Sequence, residues 1–139
     1  MGKVIALDSM VFIYLFEDDR RYINKIFPLF KDAEKGKLTL VTSIISVIEA
    51  LSTPKYISDE NTRMEITNFF RETDGLSVKS IDWEIAETAA GLRRENRTLR
   101  VPDSLQLSTA LICRASSLIT NDLNITKISI PKLNIKTLN

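Results

Sequence analysis

The sequence predicts an α/β domain: a parallel sheet of four to five strands flanked by helices on both faces. Three observations carry this. Short apolar runs rich in β-branched residues recur at 3–7, 38–42, 76–81 and 117–120, separated by longer stretches with helical spacing; that alternation is the signature of βαβ units. Helix starts and stops fall between them, with Ser or Asp before the helical stretches and Gly36, Pro54 and Gly75 after them. The chain has 139 residues, 44% of them hydrophobic, and no repeat, low-complexity tract or linker. It therefore reads as one domain over 1–139 with its own core.

Each element follows from its residues. Lys3–Leu7 is a short apolar strand. Ser9 caps a helix whose body, Met10 to Phe16, is continuously apolar, so it is buried on every side. Glu17-Asp18-Asp19-Arg20-Arg21 is a solvated break. A second helix, Tyr22 to Glu34, stops before Gly36, a suitable left-handed terminator. Leu38–Thr42 is a second strand. Ser43 caps a third helix, which carries Glu49 and ends at Pro54. Ser58 or Asp59 opens a fourth helix, with Met64, Thr67 and Phe69 or Phe70 inward, ending at Asp74-Gly75. Leu76–Ile81 is a third strand.

Asp82 caps a helix with Ile85, Ala89 and Leu92 on its inner face. Glu84 and Glu87 lie early in it and Arg93, Arg94 and Arg97 late, as the helix dipole favours. Pro102 opens a helix over 103–115. Ser117–Thr120 is a fourth strand, and alternation at Leu133, Ile135 and Thr137 marks a fifth in the tail.

Composition narrows the function classes. A net charge of +1 gives no global field for nucleic acid or membranes, so any such signal must be local. The single cysteine, Cys113, excludes an internal disulfide and suits a reducing cytoplasm. The longest uncharged run, Leu38 to Ile48, falls short of the roughly 20 residues a bilayer needs. The first residues lack a signal-peptide pattern, and Ala6 stands where an acylation signal needs Ser or Thr. A soluble, cytoplasmic protein is expected.

Four carboxylates stand where apolar runs stop or helices begin: Asp8 after the first strand, Glu49 in the third helix, Asp103 after Val101-Pro102, and Asp122 after Leu118-Ile119-Thr120-Asn121. Singly, each has an ordinary role as a turn residue, polar stripe or first-turn charge. Together they fall at the end of a parallel sheet where sites form. Carboxylates gathered without an obvious Lys or Arg neighbour call for a divalent cation. The dipole at a helix N-terminus should keep Asp103 ionised. With oxygen donors only, Mg²⁺ or Mn²⁺ suits the set better than Zn²⁺. The chain has no histidine to act as general base. A metal-bound water answers that lack, and two ions roughly 4 Å apart would clamp both oxygens of a phosphodiester. A phosphoacceptor or aspartyl phosphatase fits poorly, because Met10 stands where a phosphatase needs its second Asp.

In order, Ile5-Ala6-Leu7-Asp8-Ser9-Met10-Val11, the Glu49 helix, Pro102-Asp103-Ser104-Leu105-Gln106-Leu107-Ser108-Thr109-Ala110-Leu111 and Leu118-Ile119-Thr120-Asn121-Asp122 resemble the motifs of PIN domains. These are small metal-dependent nucleases that include the VapC-type toxins of toxin–antitoxin pairs. The resemblance covers essentially the whole chain. It implies a PIN-like three-layer sandwich and a ribonuclease dependent on Mg²⁺ or Mn²⁺. It also implies Asp8, Glu49, Asp103 and Asp122 as catalytic acids and metal ligands, Ser9 and Thr120 as polar support, a possible antitoxin partner and a homodimer. One departure stands out: Leu123-Asn124-Ile125 occupies the place where members often carry another acid and an aromatic. That departure weakens Asp122 and leaves open a degenerate module that binds RNA, or docks, without cutting.

Arg93, Arg97 and Arg100 fall at helical spacing just before Asp103, with Arg94 alongside. Should the helix persist that far, they line one face toward the acids, as an RNA-binding site with Ser9 would require. The plain alternative is a solvated helix end. The aromatics Phe12, Tyr14, Phe16, Phe27, Phe30, Phe69 and Phe70 are expected in the core or at a dimer contact.

Overall fold

The computed structural model describes residues 2–56 and 58–139. In chain order it holds β1 (Lys3–Leu7), α1 (Ser9–Phe16), α2 (Ile23–Glu34), β2 (Leu38–Ser43), α3 (Ile45–Leu51), a 3₁₀ turn (Pro54–Tyr56), α4 (Glu60–Glu72), β3 (Leu76–Lys79), α5 (Trp83–Glu95), α6 (Val101–Ile112), β4 (Ser117–Ile119), α7 (Leu123–Thr126) and β5 (Asn134–Lys136). The five strands form one parallel sheet in the order β3-β2-β1-β4-β5. The chain winds outward from β1 toward one edge, then crosses back to β4. The switch point therefore lies between β1 and β4, where an open α/β sheet leaves a crevice beyond its strand ends.

Strand alternation divides the core into layers. Ile5, Leu7, Leu38 and Leu40 point to one face and meet Val11, Phe12, Ile26, Phe30, Ile66 and Phe70 from α1, α2 and α4. Ala6, Val41 and Leu118 point to the other and meet Leu107, Ala110 and Ile125 from α6 and α7. Helix α5 lies against α6 through Ile85, Ala89 and Leu105. Tight packing on both faces fixes the register of β1 against β4, with Leu7 opposite Ile119. The next residues, Asp8 and Thr120, leave the sheet side by side.

Local chemistry explains most boundaries, and four expectations change. Asp8 rather than Ser9 caps α1, its carboxylate accepting the Ser9 N–H at 2.7 Å. Ser43 supports the start of α3 only by accepting the Ile45 N–H, because the chain turns at Ile44. Met64 faces solvent, and Ile66 takes the inner face of α4 with Phe70. Helix α5 ends at Glu95, and Asn96–Arg100 forms a loop before α6, so Arg93, Arg97 and Arg100 do not share one helical face. Asp59 and Asp82 cap α4 and α5, accepting from Thr62 and Ile85.

Gly36 and Gly75 both sit at positive φ, +77° and +81°. Gly36 ends α2 in open space. A Cβ on Gly75 would instead meet the Ala33 carbonyl oxygen at 2.5 Å. Gly36→Ala should cost about 1 kcal/mol from the left-handed backbone alone. Gly75→Ala should cost about 2 kcal/mol more, because backbone must also shift. Urea denaturation of the two variants measures that difference.

Candidate active site

Asp8 is built into the switch point from three sides. Its backbone N–H donates to the Ile119 carbonyl, and the residue is 4% exposed. One carboxylate oxygen accepts from the Ser9 N–H at 2.7 Å; the other accepts from the Thr120 hydroxyl at 2.5 Å. Thr120 in turn accepts the Asp122 N–H at 3.0 Å. Burial pushes the Asp8 carboxyl from its ordinary 3.8 up to about 6. The Thr120 and Ser9 hydrogen bonds pull it back, while the nearby charges of Glu49 and Asp122 push it further up. Burial and the field of two more acids make a bare charge on Asp8 costly unless a positive partner stands beside it.

Glu49 reaches the same point from α3. The Ser9 hydroxyl lies 2.9 Å from Glu49 Oε1 and 3.3 Å from Asp8 Oδ1, so it bridges the two acids. Asp103 lies in the first turn of α6, 4% exposed. Asp122 caps α7, accepting the Asn124 N–H at 2.8 Å. Arg100 joins these last two: its Nε and Nη2 donate to Asp103 at 3.0 and 3.3 Å, and Nη2 also donates to Asp122 at 3.2 Å. All four acids thus belong to one continuous network, Glu49–Ser9–Asp8–Thr120–Asp122–Arg100–Asp103.

One expectation is corrected here. The acids do have a basic partner close in sequence, Arg100, three residues before Asp103. Burial pushes the Asp103 carboxyl up from its ordinary value, the Arg100 hydrogen bond pulls it back, and Asp122 adds repulsion. The same contacts raise the Arg100 guanidinium, the Asp103 hydrogen bond first.

The donor set is all carboxylate and hydroxyl oxygen, and among the described residues no Lys or Arg pairs directly with Asp8. That chemistry fits a hard divalent ion. As the side chains stand, no three acids among the described residues close on one point, and the guanidinium of Arg100 bridges Asp103 and Asp122. The residue types fit the ion.

Arg93, Arg94 and Arg97 line a shallow groove of about 370 Å³ with Ala90. Arg93 is tied by its Nε to the Leu99 carbonyl at 3.0 Å. Arg97 is exposed in the loop, and Arg100 turns away toward the acids. Among the described residues, no helix is long and apolar enough to cross a membrane.

A second, buried chain lies behind the acids. Gln106 Nε2 donates to Ser46 Oγ at 2.9 Å, Ser46 pairs with Thr42 at 2.7 Å, and Thr42 donates to the Leu7 carbonyl at 2.7 Å. It ties α6, α3 and β2 to the residue before Asp8, and so holds the strand end that carries the acid. The expectations from sequence do not include it. Its trace was there: Ser104, Gln106, Ser108 and Thr109 are polar residues in a helix that is buried along that whole stretch.

Comparison with known proteins agrees with this architecture. No curated protein matches the sequence. Among solved structures, VapBC2 from Rickettsia felis bound to a DNA fragment from its promoter superposes with a TM-score of 0.72 at 19% identity, covering 96% of this chain and 98% of that one. A toxin–antitoxin complex from Klebsiella pneumoniae gives 0.60 at 26% identity, over 93% and 94%. FitAcB from Neisseria gonorrhoeae gives 0.65 at 14%, over 96% and 97%. The sequence profile of the PIN domain matches residues 5–131, a span that begins in β1 and takes in all four acids. This chain belongs to the PIN domain family.

Proposed function

We propose that this protein is a Mg²⁺- or Mn²⁺-dependent endoribonuclease, and the toxin of a toxin–antitoxin pair. The observation that carries the chemistry is the single network joining Asp8, Glu49, Asp103 and Asp122 at the sheet's switch point. In this reading Asp8 and Asp103 are the primary metal ligands, Glu49 orients a water or a second ion, and Asp122 completes the pocket. Thr120 and Ser9 hold the Asp8 carboxylate in place. A bound divalent ion would supply an activated water and stabilise charge on the scissile phosphate. The absence of histidine leaves these carboxylates as the groups that can take up a proton there.

The partner half of the proposal draws on the neighbours, two of which are named as toxin–antitoxin or VapBC assemblies. A short antitoxin and a second copy of the chain are the partners to seek in the cytoplasm. The test of the chemistry is direct: purified protein with labelled RNA should give internal cleavage with Mg²⁺ or Mn²⁺, none with EDTA, and none with Asp103→Asn. Retained EDTA-sensitive cleavage in Asp103→Asn would remove Asp103 from its assigned role.

RNA contact is assigned to Ser9 and to the exposed Arg93, Arg97 and Arg100 beside the acids. Arg97→Glu should weaken RNA binding by roughly three- to tenfold at low salt, with an unchanged circular dichroism spectrum. Unchanged binding would place the RNA elsewhere. A second reading is favoured by one feature, Asn124 beside Asp122 in place of a further acid: a PIN module that binds RNA or a partner without cutting. It predicts binding with no cleavage at any divalent ion concentration.

A further inference from the structure

We propose that Arg100 is a built-in occupant of the acid site, and that it and a divalent ion hold Asp103 and Asp122 in alternation. The inference rests on the metal-dependent reading above. Three features point to it. The first is position: Arg100 Nη2 stands 3.3 Å from Asp103 and 3.2 Å from Asp122, and Nε stands 3.0 Å from Asp103. The fork thus fills the space between two carboxylates that an ion would share, and two cations cannot share those oxygens without direct repulsion.

The second is need. Asp103 is 4% exposed, and a buried carboxylate requires a partner when no metal is there. The Arg100 guanidinium answers that need, and keeps Asp103 and Asp122 together against their own repulsion.

The third is freedom to leave. Arg100 is 62% exposed at the side chain while the acids it bridges are 6% and 20% exposed. Its backbone is fixed at the start of α6, where the Arg100 carbonyl accepts the Ser104 N–H at 3.0 Å. No side-chain hydrogen bond of Arg100 caps the helix. Rotation about the side chain alone moves the fork to solvent without touching the core. Once displaced, it stands at the rim of the site with a planar fork of N–H donors suited to phosphate. Arg100 is therefore a positioning residue: it orders the acids before the ion arrives and yields to it.

The test is Mn²⁺ binding by calorimetry without RNA, on wild type, Arg100→Ala and Arg100→Lys. Arg100→Ala should bind Mn²⁺ roughly three- to tenfold more tightly, the gain expected from removing a partly exposed bidentate competitor. Arg100→Lys, which keeps the charge and loses the fork, should fall between. Should Arg100→Ala not fold by circular dichroism, Arg100→Gln makes the same comparison. In wild type, saturating Mg²⁺ should also speed solvent exchange of the Arg100 Nε–H, read by nuclear magnetic resonance. Equal or weaker Mn²⁺ binding by Arg100→Ala, beside a wild type that binds, overturns the role of Arg100 and leaves the nuclease reading standing. Absence of Mn²⁺ binding in both proteins overturns the nuclease reading, and this inference with it.

Discussion

Asp8→Asn should abolish RNA cleavage, by about a thousandfold or more, yet melt at a higher temperature than wild type when divalent ions are removed. Both effects come from the burial of one charge. The Asp8 carboxyl is held at about 6 in the fold against 3.8 ordinarily. An unfolded chain gives up that proton first, so this group loses stability for the fold as pH rises from about 4 to about 6, and the loss is complete above that. The span corresponds to about 3 kcal/mol. Asparagine carries no charge and keeps an oxygen for the Ser9 N–H, though its amide must take the place of the oxygen that Thr120 now donates to. A net gain of about 1–3 kcal/mol is expected near pH 7, or several degrees in Tm. The gap between variant and wild type should close near pH 4. Melting curves in EDTA from pH 4 to 7.5 check this; a variant less stable than wild type at pH 7 would show that Asp8 is not strained by burial.

The second large effect is on the core beneath the site. Phe12 is completely buried and sits four residues after Asp8 on α1. Its ring meets Phe70 at 4.8 Å, Phe30 at 6.0 Å, and Phe16 and Phe69 at 6.4 Å. This cluster joins α1, α2 and α4 over one face of the sheet. Phe12→Ala should destabilise by about 3–5 kcal/mol, the usual cost of an aromatic-sized cavity. Phe12→Leu should lose markedly less. Because α1 begins at Asp8, loss of its packing should also loosen the acid, so Phe12→Ala should bind Mn²⁺ more weakly even where it is still folded. Chemical denaturation gives the first quantity and titration below the melting range the second.

How much of this was legible in the sequence depends on how local the cause is. The strand of Lys3–Leu7 and the start of the helix behind its Asp82 cap were readable because apolar period and capping residues agree within a few positions. The convergence of Asp8 and Asp122 was readable too, since both end parallel strands, and β1 and β4 prove to be neighbours. The behaviour of Arg100 was not. Helical spacing joins it to Arg93 and Arg97, but the turn at Asn96–Leu99 breaks the helix and aims it at Asp103 instead. Its spacing of three from Asp103 was the one local sign. The orientation of Met64 is not legible locally, because α4 carries Met64, Ile66, Phe69 and Phe70, and two faces compete for the inside. The chain from Gln106 through Ser46 to Thr42 links residues far apart in sequence. Only the packing of α6 across the sheet brings them together.

Mn²⁺ offers the most direct measurement, since it scatters anomalously and substitutes for Mg²⁺ at oxygen sites. A crystal soaked in Mn²⁺ should show an anomalous peak bound by Asp8 and Asp103, with Glu49 and Asp122 around it and Arg100 turned to solvent. A map with no peak at these acids at saturating Mn²⁺, or with the ion bound elsewhere and Arg100 still bridging Asp103 and Asp122, would contradict the account.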